Sequence, residues 1–374
     1  MSELEQQRLS ACFARDEVCV LGLPFDRVDE HHAMVRLDSA IDRDERCFLS
    51  TPNLNFVISA LNDGSFRESV FQSDLSVADG MPLIWVSRLI GANLRQRVAG
   101  STLFDLMRNR PKQERISVFF LGGMGNDAEL AAEKLEKYSV GFRSTGGLNP
   151  GMGSVEDMSS EEIIRSVNDA NPDFLVVSLG AKKGQRWIME NQDRLNTRVI
   201  SHLGAVVNFV AGTVKRAPHW WQKLGLEWVW RIVEEPTLWK RYFFDGLALL
   251  KLIAIRVLPL CIYGGFLRTK FKGQPLMHSI CHPSAEVAHL SLSGSAVDSN
   301  LQALREAFPR EVMENQTLVI DLQGLDHADA SFWALMLRVK TELSEAGKRM
   351  RIERAPKRIA YLAKLSLVDN TLGF

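Results

Sequence analysis

Val118-Phe119-Phe120-Leu121 runs straight into Gly122-Gly123, and Asn126-Asp127 then opens a stretch rich in Ala, Glu and Leu. A short apolar run, a glycine turn and a helical pattern are the parts of a strand–turn–helix unit. The unit recurs downstream. Asp173-Phe174-Leu175-Val176-Val177 ends in Leu179-Gly180 and is followed by a helix from Gln185 to Gln192, and residues 197–203 form another strand candidate ending at Gly204. Such alternation, present from about Val18 to Ile200, predicts a Rossmann-like parallel α/β sheet. In these sheets ligands bind at the carboxyl ends of the strands, where glycines let backbone N–H groups approach an anion.

Outward from this core the chain changes character twice. Residues 1–17 read as a polar lead-in, with no charged stub and apolar run of a signal peptide, which places the protein inside the cell. Residues 246–266, GLALLKLIAIRVLPLCIYGGF, are the most apolar segment, close to the ~20 residues of a membrane span. Lys251 and Arg256 lie inside it, Pro259 interrupts it, and Lys240, Arg241, Arg268, Lys270 and Lys272 flank it. Three readings compete: a helix in the membrane interface with snorkelling charges, a shallow or re-entrant anchor, and a buried soluble helix. The polar stretch from Lys272 to Pro283 reads as a linker, so 246–283 is taken as a membrane-associating segment and linker. From Leu290 onward strands and helices alternate again over about ninety residues, a second and smaller α/β domain at 284–374.

Composition narrows the function classes. Lysine plus arginine and aspartate plus glutamate number 45 each, so no global basic field attracts nucleic acid. Five scattered cysteines without a CxxC pair argue against a disulfide scaffold or a zinc site; no metal and no cofactor is expected.

Four clusters carry polar chemistry. Ser50-Thr51-Pro52-Asn53 binds hydroxyls or phosphates, or caps a helix. Ala78-Asp79-Gly80 supplies a general base or a plain turn. Arg95-Gln96-Arg97-Val98-Ala99-Gly100-Ser101 suits a diphosphate at a helix start, or is a solvated basic turn. The stretch from Gly180 to Trp187 looks like a phosphate loop but has neither Walker A nor GxGxxG spacing. Together they suggest a phosphorylated or nucleotide-linked substrate without naming a reaction.

Gly22-Leu23-Pro24-Phe25-Asp26, Thr51-Pro52-Asn53, Ala78-Asp79-Gly80-Met81-Pro82, Arg97-Val98-Ala99-Gly100-Ser101, Phe120-Leu121-Gly122-Gly123, Asn171-Pro172-Asp173, Leu179-Gly180-Ala181, the stretch from Ala211 to Pro218 and Gly225-Leu226-Glu227-Trp228 follow one another in order. Over residues 18–245 this series resembles the WecG/TagA/CpsF glycosyltransferases. The resemblance implies inverting, metal-independent transfer of a sugar from a nucleotide-sugar donor to a lipid-diphosphate-linked acceptor, at the inner face of the cytoplasmic membrane. It implies UDP as the nucleotide, with N-acetylmannosamine, its uronic acid or glucose as the sugar, and a product destined for surface polysaccharide. It makes Asp79 the catalytic base, sets Thr51 and Asn53 in the same pocket, gives Arg97 the diphosphate, and places Gly122 and Gly123 near the nucleotide. Arg231 and Arg241 match the basic residues of the family's C-terminal appendage, where Leu238 departs from the pattern. The tryptophans Trp220, Trp221, Trp228, Trp230 and Trp239 read chiefly as core packing, although tryptophan also favours membrane interfaces.

Two departures stand out. Lys182-Lys183-Gly184-Gln185 replaces the family's Pro-Lys-Gln-Glu run, so that Gln185 serves only by a one-residue shift, and Asn208 stands where Asp is common. The C-terminal domain resembles the STAS fold of anti-sigma-factor antagonists: Leu318-Val319-Ile320-Asp321-Leu322 and then Asp329-Ala330-Ser331 match its strand and switch loop. Ala330 occupies the position of the phosphorylated residue, which implies a docking or sensing module with a protein partner but no phospho-switch, or a structural appendage. The alternative to an enzyme is a nucleotide-sugar sensor that signals through this domain.

Overall fold

The computed structural model describes residues 3–218, 220–221 and 225–374. The chain divides into two units, one made of 28–81 with 96–247, the other of residues up to 27, 82–95 and 248–374. This cuts the chain differently from the 18–245 boundary read in the sequence. The polar lead-in is a helix, Glu3–Phe13, followed by a hairpin of β1 (Glu17–Val20) and β2 (Leu23–Asp26), and both belong to the unit that contains the C-terminal domain.

The first unit holds a six-stranded parallel sheet of β3 (Cys47–Ser50), β4 (Leu75–Ser76), β5 (Ile116–Gly122), β6 (Phe142–Leu148), β7 (Phe174–Ser178) and β8 (Val199–His202), in spatial order β4-β3-β8-β7-β5-β6. Alternate residues feed two cores. Leu49, Val118, Phe120 and Val176 pack on one face, and Phe48, Phe119, Leu121, Leu175 and Ile200 on the other. Burial on both faces explains why these strands read as continuous apolar runs rather than as alternating ones. Because all six strands are parallel, the residues that follow Ser50, Ser76, Gly122, Ser178 and His202 emerge on one edge.

In the second unit β9 (Leu276–Ser284), β10 (Val287–Ala296), β11 (Thr317–Ala328) and β12 (Arg349–Glu353) form a sheet in order β12-β11-β10-β9, with β9 antiparallel. The linker expected over 272–283 is therefore corrected. Most of it is β9, because the backbone of Leu276–Ser284 pairs with β10, a long-range bond that polarity alone does not reveal. The β1–β2 hairpin lies on the helix Ala330–Glu345 through a buried ion cluster: Arg338 pairs with Glu17 at 2.7 Å, and Arg15 with Asp26 at 2.7 Å and Glu17 at 3.0 Å. Leu9 and Phe13 of the first helix are buried, with Phe13 stacked on Phe308 at 5.8 Å. These apolar contacts, invisible in the polar composition of 1–17, are why the lead-in folds.

The apolar segment is helical throughout Pro236–Lys270, with a π-turn at Ile253–Val257 between the helices Trp239–Leu252 and Leu258–Lys270. Pro259 lacks an N–H, and a widened turn directly before it accommodates the freed acceptor. By length and composition this run is long enough to cross a membrane, and only 6% of its most apolar window is buried. The reading of a buried soluble helix is thereby corrected. Within the second unit Val257, Gly264 and Leu267 face inward, and Tyr263 stacks on Tyr361 at 5.2 Å. Leu250, Ile255, Leu258, Ile262 and Phe266 remain exposed.

Candidate active site

Three backbone hydrogen bonds stitch the first two sequence clusters and the third together at the sheet edge. Val77 N–H donates to Ser50 O at 3.0 Å, Asp79 N–H to Pro52 O at 2.9 Å, and Val98 N–H to Ala78 O at 3.0 Å. Thr51 is buried and touches Gly100, where a Cβ would lie 3.1 Å from Thr51 Cγ2 and 2.5 Å from Leu203 Cδ2. Glycine at position 100 is thus what lets the helix Gly100–Asn109 begin against the ends of β3 and β8. Its N-cap, Ala99, offers no side-chain acceptor, and the Asp79 carboxylate accepts from the Gly100 N–H instead.

Arg97 joins two carboxylates. Its Nε and Nη2 donate to Asp79 Oδ1 at 3.2 and 3.1 Å, and Nη2 donates to Glu227 Oε2 at 2.7 Å. The side chains of Asp79, Arg97 and Glu227 are 24%, 19% and 14% exposed, so the cluster is recessed but reachable. Burial pushes the Asp79 carboxyl above its ordinary value; the Arg97 charge opposes this, and the neighbouring Glu227 adds to it. Arg97 is held firmly charged by Asp79 and Glu227 against the cost of its burial. The arrangement offers a carboxylate of raised basicity beside a fixed cation.

Gly122 and Gly123 form the turn after β5 with φ of 102° and 94°, and Gly123 N–H donates to Ser178 O at 2.9 Å. A Cβ on Gly122 would meet Ser178 O at 2.4 Å, so only glycine fits this crossing of two strand ends. In the sheet order β5 lies four strand spacings from β4, on the order of 19 Å along the edge. Asn208 donates to Asp127 at 2.9 Å, and an aspartate at position 208 would set two carboxylates together there.

The other site residues read from the sequence are engaged with other partners. Asn53 is the N-cap of the helix Leu54–Asn62, accepting from Phe56 N–H at 3.2 Å. Gln185 is fully buried and donates to Ser50 Oγ at 2.9 Å, beneath the end of β3 rather than on the open edge. Lys182 pairs with Asp63 at 3.1 Å and Lys183 donates to Gly153 O at 2.8 Å. Arg231 pairs with Glu235 at 2.9 Å and stacks on Phe209, and Arg241 stacks on Tyr242; among the described residues neither pairs with the Asp79–Arg97–Glu227 cluster. The core-packing reading of the tryptophans is corrected, since Trp220, Trp228 and Trp239 are 58%, 48% and 51% exposed. They pair with one another or with adjacent aromatics, Trp220 on Trp221 at 5.0 Å and Trp239 on Phe243 at 6.4 Å, instead of filling a core.

Glu227 stands in the Gly225-Leu226-Glu227-Trp228 motif, and the sequence assigns it no role because its partner is 130 positions away. The segment around it is anchored by Trp230 Nε1–H donating to Lys215 O at 3.0 Å, and by Arg216 pairing with Asp105 and donating to Thr102 Oγ1 at 2.6 Å.

Residues 18–260 match the family model described as the glycosyl transferase WecG/TagA/CpsF family, and residues 283–373 match that of the Mlab, STAS domain. Relatives include N-acetylglucosaminyldiphosphoundecaprenol N-acetyl-beta-D-mannosaminyltransferases. That of Bacillus spizizenii is 27% identical over 54% of this chain and 76% of its own. That of Staphylococcus aureus is 25% identical over 60% of this chain and 86% of its own, and that of Bacillus subtilis 26% identical over 54% and 77%.

Proposed function

The chain belongs to the WecG/TagA/CpsF glycosyltransferase family, and from that premise we propose that it moves a sugar, with inversion, from a UDP-sugar of the N-acetylmannosamine, N-acetylmannosaminuronic acid or glucose type to an acceptor linked to polyprenyl diphosphate. The observation that carries this reading is Arg97 bridging Asp79 and Glu227 at the carboxyl edge of the sheet. Asp79 takes the proton of the acceptor hydroxyl. The acceptor oxygen forms the new bond at the anomeric carbon as the bond to the nucleotide diphosphate breaks, and the departing electron pair stays on that diphosphate. Arg97 faces the charge that accumulates there, and the diphosphate displaces Glu227 from Nη2. The donor lies along the edge toward Gly122, with Thr51 beneath the reacting end.

A lipid-linked acceptor requires access to the membrane. Leu250, Ile255, Leu258, Ile262 and Phe266 are spaced by five, three, four and four residues, and the π-turn supplies the five-residue step that keeps them on one stripe. Lys240, Arg241, Arg268 and Lys270 stand at the two ends of the helix, on either side of its apolar stretch, and suit anionic headgroups. The helix lies in the interface of the inner membrane leaflet in this reading, and the product enters surface-polysaccharide assembly. The STAS-like domain serves as the docking site for a protein partner.

The test incubates full-length protein with a panel of UDP-sugars and a short lipid-diphosphate acceptor. Transfer by the wild type and its loss in Asp79→Asn support the reading. UDP-sugar binding with no turnover of any donor overturns it in favour of a sensor.

A further inference from the structure

His202 ends β8 and is 8% exposed. Its ring lies so close to Gly184 that a Cβ there would come within 2.1 Å of His202 Cδ2, and a Cβ on Gly204 would lie 3.3 Å from Nε2. The Phe56 ring is 6.3 Å away, centroid to centroid. Nε2 has no hydrogen-bond partner among the described residues. Beside it, the fully buried Gln185 donates to Ser50 Oγ while its Oε1 is also unpartnered. The register Leu49↔Ser201 sets Ser50 next to His202, so the residue that holds Gln185 and the imidazole stand at adjoining strand ends, with Gln185 itself on the helix Ala181–Asn191.

Leaving a buried polar atom unpartnered costs about 1–3 kcal/mol, so each such atom calls for a partner. Burial holds the imidazole down to about 4, so it is neutral near pH 7. A neutral ring offers one donor and one acceptor, which suits a hydroxyl better than a phosphate. The sheet order places β8 two strand spacings from β4 and two from β5, about 10 Å each way, between the strand that precedes Asp79 and the strand that ends in the Gly122–Gly123 turn.

Resting on the reading of a nucleotide-sugar donor laid along this edge, we infer that His202 is a donor-binding residue whose Nε2 hydrogen-bonds a hydroxyl of that donor, with glycine at 184 and 204 keeping room for the ring. The hydroxyl belongs either to the ribose or to the transferred sugar.

The experiment measures transfer by full-length His202→Ala and Gly184→Ala, the second keeping the imidazole but displacing it. A wild type that transfers no sugar sinks the parent reading and not this one. With an active wild type, the donor KM is expected to rise about fivefold to tenfold in both variants, the loss of one hydrogen bond, while the acceptor KM stays within twofold. Inhibition by free UDP separates the sources: a matching rise in its inhibition constant assigns the ribose hydroxyl, and an unchanged constant assigns the transferred sugar. A donor KM within twofold of wild type in Gly184→Ala, or donor and acceptor KM rising together, makes His202 a core residue and overturns the inference. His202→Asn, which keeps a polar side chain in part of the imidazole's space but has no atom at the Nε2 position, replaces His202→Ala if that variant does not fold.

Discussion

Asp79 and Asp329 look alike in the sequence. Each closely follows a strand, each stands near a helix start, and burial pushes each carboxyl above its ordinary value. Their surroundings separate them. Asp329 accepts from three backbone N–H groups, those of Ser331 at 2.9 Å, Phe332 at 3.0 Å and Asp298 at 2.8 Å, which makes it an N-cap. Ser331, buried behind it, bonds to Asp298 rather than standing free as a modification site. Asp79 accepts one backbone N–H and otherwise faces Arg97. A carboxylate saturated by backbone donors is structural; one left with lone pairs beside a fixed cation and a recess is available for chemistry.

The largest expected effect breaks that contrast at its reactive end. Asp79→Asn keeps an acceptor for the Gly100 N–H but removes the base, so kcat should fall about 10²–10⁴-fold with little change in melting temperature. A variant retaining more than a tenth of the wild-type rate would move the base elsewhere. Next comes the scaffold of the other region. Arg338→Ala leaves Glu17 and its neighbours buried around a missing charge, and urea unfolding should show a loss of about 3–5 kcal/mol. A loss under about 1 kcal/mol would mean that apolar contacts alone hold the β1–β2 hairpin. Asp329→Ala should cost about 1 kcal/mol of stability and leave the transfer rate unchanged; a rate loss matched to that of Asp79→Asn would erase the distinction. The smallest effect is a shift of pH dependence. Glu227 raises the Asp79 carboxyl, so Glu227→Gln lowers it and also leaves Arg97 to Asp79 alone. The acid limb of kcat/KM, which for wild type lies above the ordinary carboxylate value of 3.8, should move to lower pH. A shift upward would show that Glu227 does not act through Asp79.

Much of this is legible in the sequence. The run from Val118 to Gly123 and its repeats at 173–180 and 197–204 announce a parallel sheet because strands buried on both faces must be apolar throughout and must turn on glycine. The resemblance set Asp79 and Arg97 in one pocket, and the edge geometry brings them within 3.1 Å. Asn53, for which capping and binding were both open, caps its helix.

What the residues determined alone is what short-range physics encodes: the period of burial, the glycines at strand ends, the apolar stripe with its interrupting proline, and the renewed alternation of strands and helices from Leu290 onward. Tertiary structure decided every pairing between distant positions, Glu227 with Arg97, Glu17 with Arg338, His202 against Gly184, and β9 within the C-terminal sheet. A charge or an imidazole carries no periodicity of its own, so its partner is fixed only when packing brings two remote strand ends or helices together.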